Sequence, residues 1–506
     1  MLRFTLGSIE QLHFRRKNLI ESYKRAFSNQ SFNGSDTDNK FVSRTDKGSN
    51  SLTQRFKDSI LRWKDGIGED NESLSFRDLE EEIPTECDVI IIGGGAMGSS
   101  TAYWLKHKIF ESMKVVVIEK DPTYAKASTT LSVGGLRQQF SLKENIEMSL
   151  FGAEFIRNIN HHLRLTEEDH IDPYFHPYGY LLLASEAGAE VLTENSKLQN
   201  SMGAKNILLN ASRLKAMFPW LNTEDIEVGC LGLEKEGWFD PWSLLCALKN
   251  KAMCLGAQYI TAEAVGFGYK DLEFADKGNT EIMEPTKYIN QLIIQLPNGE
   301  KKTIQFSQAV IAAGAFSGQV AQMARLGTGP GVLGIPLPVE PRKRYVYCFH
   351  CPDGPSINTP LTIDSTGTYF RRDGLGGNFI CGRSPLPQEE PPIDDLNVDH
   401  EYFNEKVWPM LAYRVKAFEN LKVKSAWAGY YEYNVFDKNG IIGRHPHFHN
   451  LLLATGFSGH GIQQAPAVGR AISELIIDWK YTTIDLTRLG FERFLNDEPM
   501  KEANIV

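Results

Sequence analysis

Cys87-Asp88-Val89-Ile90-Ile91-Ile92-Gly93-Gly94-Gly95-Ala96-Met97-Gly98 is a β-branched run that breaks into glycines and restarts in a helical pattern. It reads as strand, tight turn and helix. Gly93 permits the sharp turn, Gly95 lets backbone approach a pyrophosphate, and Gly98 lets the helix pack on its strand, so the helix N-terminus, with Ala96 and Met97, faces the anion. A dinucleotide is the expected occupant.

One such glycine motif is weak by itself, but its surroundings fit. A second β-rich run, Val115-Val116-Val117-Ile118, ends at Glu119, 21 residues beyond Gly98, close to the interval at which an acid meets a ribose hydroxyl. An acid there favours an unphosphorylated ribose, hence FAD or NAD rather than NADP. Lys120, beside it, joins the candidate cofactor-binding residues.

The chain has 506 residues, 42% of them hydrophobic, and a formal charge of −9. That is room for two or three domains and a large core, and the acidic balance argues against nucleic acid as a partner. No apolar run approaches the ~18–20 residues that cross a bilayer, so a soluble or at most membrane-peripheral protein is expected. The seven cysteines are scattered, which points to a reducing compartment. Cys348 and Cys351 form one CxxC with no second pair to complete a zinc site, and His350 between them reads as a strand residue. No metal is expected.

Met1 to Asn29 carries six basic residues against Glu10 and Glu21, interleaved with Leu2, Phe4, Leu6, Leu12 and Phe14. This resembles a mitochondrial presequence, the alternative being an ordinary basic helix. Residues 30–85 read as a disordered or acidic linker, with a short helix over Thr53–Trp63. Downstream, helices are expected over Glu144–His161, with Ile146, Leu150, Phe151 and Ile159 inward, over Glu186–Gly203, and from Pro241 to Gly256 with Asp240 as cap. Strands are expected at Tyr180–Leu183, Gln258–Ala264, Thr303–Ile311, Arg344–Phe349, Gly367–Arg371, Asn378–Gly382 and Leu451–Thr455. The last runs into Gly456-Phe457-Ser458-Gly459-His460-Gly461 and a further helix to about Trp479, so a second glycine turn presents a second helix N-terminus.

Five features occur in order: the first glycine turn with Glu119, the Ser/Gly stretch Ala127–Arg137, the Asp240-Pro241 helix start, Ala312-Ala313-Gly314-Ala315-Phe316-Ser317, and the second glycine turn. Together they resemble the D-amino acid oxidase, sarcosine oxidase and dimethylglycine dehydrogenase family of flavoproteins, over roughly Glu86 to Tyr481. The resemblance implies an α/β fold in which a Rossmann-like FAD-binding domain (86–172, 237–330, 430–480) is interleaved with an antiparallel-sheet α+β substrate domain (173–236, 331–429), leaving 481–506 as a C-terminal tail. It implies Gly93, Gly95 and Gly98 at the pyrophosphate and Glu119 at the ribose. Ser128, Thr129, Gly135 and Arg137 would border pyrophosphate and ring, and Gly456, Gly459, His460, Gly461 and Ile462 the pyrimidine edge; Gly314 completes the set. A helix N-terminus suits that edge because reduction places negative charge there.

The family's flavin takes a hydride from the carbon next to an amine, and arginines or tyrosines hold the substrate carboxylate. Arg342, Arg344, Arg383, Tyr430, Tyr431 and His460 are the candidates for lining the cavity, against the plainer reading of surface or packing residues. The chain departs from family patterns where a cysteine or histidine would bind flavin covalently: Ala428-Gly429-Tyr430-Tyr431 has no cysteine and Ser128–Val133 no histidine. Non-covalent FAD is expected. Ile462-Gln463-Gln464 and Asn378–Gly382 also lack the lysines of sarcosine oxidases, which disfavours a rapid sarcosine oxidase.

Gly237–Trp242, Pro338–Tyr347 and Ser425–Tyr431 resemble a mitochondrial branch of the family that acts in respiratory complex I assembly. This implies complex I subunits or assembly intermediates as partners, a small amine or amino acid as substrate if catalysis is retained, and a place in the matrix or on the matrix face of the inner membrane. Two alternatives stay open: a purely metabolic N-methyl or amino-acid dehydrogenase, and a scaffold without cofactor.

Overall fold

β1 (Glu86–Ile92) passes through Gly93–Gly95 into α1 (Ala96–Lys108) and returns as β2 (Val115–Glu119). The structure, a computed structural model, describes residues 83–110, 112–271 and 287–503. The expected presequence, nearly all of the linker and the Thr53–Trp63 helix lie outside the described residues. The elements below belong to one unit, Glu72–Leu165 with Ile171–Val506. Thr166–His170, outside it, is a turn in which the Asp169 N–H donates to the Thr166 carbonyl.

Along the chain follow α2 (Lys143–Arg157), α3 (Pro241–Cys254), β3 (Lys301–Ile311), β4 (Val339–His350), β5 (Lys422–Asn434), β6 (Leu451–Thr455) and α4 (Gly461–Ile477). α3 starts as its sequence requires, with Pro241 in the first turn and the Asp240 carboxylate accepting from the Trp242 N–H at 3.1 Å.

Among the described residues the strands form two eight-stranded sheets and a two-stranded ribbon. The first sheet runs Ile441–Arg444, β6, β3, β1, β2, Gln258–Thr261. β1 pairs in parallel with β2 and β3, β3 with β6, and β2 with Gln258–Thr261. Parallel strands are covered on both faces, which is why β1 and β2 read as unbroken β-branched runs. Val89 and Ile91 pack with α1 and α4, while Ile90 and Ile92 pack with the opposite core.

The second sheet runs β5, β4, Asn378–Arg383, Thr368–Asp373, Leu361–Ile363, Tyr180–Ala184, Val228–Gly232, Asn206–Asn210. It is antiparallel except between Leu361–Ile363 and Tyr180–Ala184, which are parallel, a departure from the all-antiparallel sheet expected. The segments 86–172, 237–330 and 430–480 carry the first sheet and 173–236 and 331–429 the second, with β5 running across the boundary to Asn434.

Three expectations need correction. The helix read over Glu144–His161 breaks at Asn158, whose side-chain amide donates back to the Glu154 carbonyl, and Ile159–Leu163 follows as a separate turn. Of its inward residues Ile146 and Ile159 are buried, but Leu150 and Phe151 only half so, because the face pressed on α4 carries Gly152: a Cβ there would lie 1.9 Å from the Gln463 carbonyl oxygen. The strand read over Gln258–Ala264 divides at Ala262, whose N–H donates to the Glu119 carbonyl. Glu263–Asp271 then leaves to pair with Lys287–Gln295. Residues past 480 are no loose tail: Leu486, Leu489 and Phe491 are buried, and Glu502 accepts from the N–H groups of Ser141 and Leu142 ahead of α2.

His350 stands in β4 with Nδ1 3.0 Å from the Asn378 side-chain oxygen. Among the described residues no cluster of His, Cys, Asp and Glu is placed to hold a metal, and no helix is long and apolar enough to cross a membrane.

Candidate functional site

The first glycine turn is fixed by what a side chain would strike. A Cβ on Gly93 (φ +104°) would lie 2.3 Å from the Ala312 carbonyl oxygen, and one on Gly98 1.9 Å from the Gly93 oxygen. At Gly95 a Cβ would meet only Thr129 Oγ1 at 3.3 Å, so this N-cap is open to a ligand. α1 has no acid in its first turn, leaving its positive end uncompensated. The Ala96 N–H donates to Thr129 Oγ1 at 3.1 Å, and Glu119 accepts from the Gly94 N–H at 2.8 Å and the Asp121 N–H at 2.9 Å. Burial raises the Glu119 carboxyl above its ordinary value.

The Ser/Gly stretch crosses between the sheets, tied down by the second one. Ser128 Oγ donates to the Tyr430 carbonyl, Trp427 Nε1 to the Leu131 carbonyl at 3.0 Å, and Arg371 Nε to the Val133 carbonyl at 3.1 Å. Arg137 ends it, buried, its guanidinium 4.3 Å over the Phe140 ring and its N–H donating to Gln463 Oε1 in α4.

The second turn closes on the first. Gly456 and Gly459 both have positive φ, and a Cβ on Gly461 would lie 2.8 Å from the Met97 methyl. Ala96 and Met97 therefore border the same cavity as Ser458–Gln463, together with Ser128, Thr129, Gly135 and Arg137, and Arg344, Tyr430, Tyr431 and Glu432 from the second sheet. His460 caps α4, is 6% exposed, and has no hydrogen-bond partner at either ring nitrogen. Burial, and next to it Arg137, hold its imidazole down to about 3, so the ring is neutral at physiological pH.

The remaining candidates divide. Arg344 lines the cavity with its guanidinium 5.5 Å over Tyr431. Arg342, two residues earlier on the same face of β4, turns outward to Glu340 at 3.2 Å and over the Tyr433 ring. Arg383 does not line the cavity. It ends its strand and points Nη1 at the Lys406 carbonyl 3.4 Å away. Lys120 faces solvent in an ion pair with Glu263 at 2.6 Å. Gly314 and Gly456 shape the neighbouring turns, Gly314 next to Ser128 and Gly456 against Val339 and Ile441.

Among the cavity residues not expected from the sequence are Tyr180, Tyr369 and Glu432. Glu432 carried a signal, an acid within an aromatic strand end. Its Oε2 accepts from Thr455 Oγ1 at 3.1 Å and the Gly456 N–H at 3.2 Å, and burial pushes its carboxyl from 4.5 up to about 7. A carboxyl raised in the folded chain stabilises it fully below pH 4.5 and loses that contribution as pH rises to about 7. Glu432→Gln keeps the acceptor without the charge. Urea unfolding at pH 5 and pH 8 is expected to show the variant losing about 2–3 kcal/mol less stability over that interval than the unaltered protein. Equal losses would place the burial penalty elsewhere.

The residues fit an extended dinucleotide carrying a ring system. The open Gly95 and the acid-free start of α1 suit the pyrophosphate, Glu119 the ribose, and the two partnerless nitrogens of buried His460 a polar ring edge.

The DAO family profile, described as FAD dependent oxidoreductase, matches residues 88–475. The chain is 52% identical over 430 residues to FAD-dependent oxidoreductase domain-containing protein 1 of Xenopus laevis, covering 84% of this chain and 85% of that protein. It is 21% identical over 432 residues to monomeric sarcosine oxidase of Bacillus sp. (strain NS-129), covering 83% and 99%. Among solved structures it resembles L-proline dehydrogenase from P. horikoshii with a TM-score of 0.66 at 24% identity, covering 82% of this chain and 100% of that one.

Proposed function

The chain belongs to the DAO family of FAD-dependent oxidoreductases, and from that premise we propose that it is a mitochondrial flavoprotein supporting assembly of respiratory complex I, with a site for oxidising a small amine or amino acid. The observation that carries the catalytic half is the meeting of the two glycine turns, Met97 against Gly461, over a cavity that Arg344 and Tyr431 wall from the other sheet.

When bound, FAD supplies the two-electron acceptor for a C–H next to an amine. The chain's residues do the positioning. The N-terminal end of α1 would face the pyrophosphate and Glu119 would accept from ribose hydroxyls. His460 would meet the ring edge as a neutral donor or acceptor. Tyr369 and Tyr431, whose hydroxyls burial keeps protonated, exclude water from the cavity. Arg344, from the second sheet, is the cation proposed to face the substrate, and Arg137 lines the same cavity. The proposed attachment is non-covalent, and among the described residues no cysteine lines the cavity.

The assembly role rests on the resemblance carried by Gly237–Trp242, Pro338–Tyr347 and Ser425–Tyr431. Matrix location, or the matrix face of the inner membrane, rests on the basic N-terminus, and the partners proposed are complex I subunits or assembly intermediates. Two measurements test the reading. Anaerobic mixing of the FAD-loaded protein with N-methyl and α-amino acids is expected to bleach the flavin with at least one of them, and cells lacking the protein are expected to lose complex I. Bleaching with complex I intact would favour the second reading, a metabolic dehydrogenase passing electrons to a carrier, which the Arg344-lined cavity also suits. Neither effect would refute both.

A further inference from the structure

Residues 384–399 leave the strand Asn378–Arg383 and cross to the short helix His400–Tyr402, with a single turn at Pro387–Glu389 on the way. The stretch is acidic and stiff: Glu389-Glu390-Pro391-Pro392-Ile393-Asp394-Asp395. Leu396 and Val398 pack its far end on the core, but much of the rest is exposed, including Leu386 and Ile393, and polar contacts anchor its middle. Consecutive residues of β4 supply two of them. Lys343 Nζ reaches Asp395 at 2.9 Å, and Arg344 holds Glu390 through both terminal nitrogens at 2.8 and 2.9 Å. The Tyr430 hydroxyl donates to the Ile393 carbonyl at 2.8 Å.

Arg344 is thus at once one of the two arginines that line the cavity, with Arg137, and the strap's anchor. Its side chain is 9% exposed and that of Glu390 18%, so the pair is held where charge attraction is screened less than at the surface. Nη1 and Nη2 are committed to Glu390, and buried Nε has no partner. A carboxylate binding side-on takes Nε and Nη2 together. It would gain the unpaired donor and compete with Glu390 for the other.

We infer that Glu390 is a specificity-determining residue, an internal carboxylate that occupies Arg344 until a substrate carboxylate displaces it and loosens residues 389–395. The site then selects anionic amines that bind strongly enough to win this exchange, and neutral amines leave the strap closed. The inference rests on the proposed amine or amino-acid site.

The test is calorimetric titration of the FAD-loaded protein with benzoate, a carboxylate without an oxidisable amine. Glu390→Gln is expected to bind it about tenfold more tightly than the unaltered protein, because it leaves the guanidinium without its counter-charge. Arg344→Met is expected to bind it at least about tenfold more weakly than Glu390→Gln. Asp395→Asn loosens the strap without freeing Arg344 and is expected to gain clearly less affinity than Glu390→Gln. Hydrogen exchange on the unaltered protein gives an independent reading: benzoate is expected to speed exchange across residues 389–395. Equal affinity in Glu390→Gln and the unaltered protein, an equal gain in Asp395→Asn, or unchanged exchange would overturn the inference while leaving the amino-acid site standing. Absence of carboxylate binding in every variant, with no bleaching by any amino acid, would remove the site itself.

Discussion

Gly95→Val is expected to yield a folded, soluble protein that purifies without flavin. Gly95 sits at φ −66°, ψ −167°, a conformation open to any residue, and its Cβ would meet only the Thr129 hydroxyl. The backbone therefore has no reason to refuse a side chain. A valine there fills the space through which a pyrophosphate reaches the first N–H groups of α1, and FAD affinity is expected to fall by at least about 100-fold. The flavin-to-protein ratio by absorbance, beside an unchanged far-ultraviolet circular dichroism spectrum, checks it. Gly98→Val is the contrast. Its Cβ would lie 1.9 Å from the Gly93 carbonyl oxygen, backbone that cannot yield, so loss of the fold is expected instead. The Gly95 variant also separates hypotheses in cells: a scaffold independent of FAD would still restore complex I with it.

Arg493→Met is expected to cost about 3–5 kcal/mol of stability, the scale on which a buried charge left without its partner destabilises. Arg493 is 3% exposed at its side chain and Asp437 0%. The guanidinium donates to both Asp437 oxygens at 2.7 and 3.2 Å and to the carbonyls of Leu489, Asn439 and Gly440. The consequence reaches the site because Asp437 also holds Asn434, whose N–H donates to Ser458 in the second glycine turn. Flavin content is expected to fall with the denaturation midpoint. Lys416→Met, removing a side chain that is 86% exposed and paired with Glu419, itself 46% exposed, is expected to cost no more than about 1 kcal/mol. Similar midpoints for the two variants would show that the Arg493 network is not what holds the C-terminal residues in place.

What could be read from the sequence was what the backbone demands. The glycine turns at 93–98 and 456–461 announce themselves because few other residues adopt those φ values or permit those approaches, and β1, β2 and β6 because the middles of strands buried on both faces are apolar. The Asp240-Pro241 start is a local contact and needs no tertiary knowledge. The cavity walls were harder, because convergence rather than composition selects them. Arg342, Arg344 and Arg383 are alike as letters, yet only Arg344 turns inward. Tyr180 and Tyr369 come from strands whose pairing is set by residues far apart in the chain. The ribbon of Glu263–Asp271 with Lys287–Gln295 went unread, and the division at Ala262 depends on one hydrogen bond to Glu119. The residues past 480 looked like a tail because their anchors, Asp437 and Asn145, lie far upstream.

The central claim is that the two glycine turns grip one FAD molecule without a covalent bond. It is tested most directly by the visible spectrum of the purified protein before and after acid precipitation. Non-covalent FAD predicts the two absorption bands of oxidised flavin before precipitation and all of that absorbance, as intact FAD, in the supernatant afterwards. A colourless protein that stays colourless after incubation with excess FAD, or a yellow pellet over a clear supernatant, would contradict it.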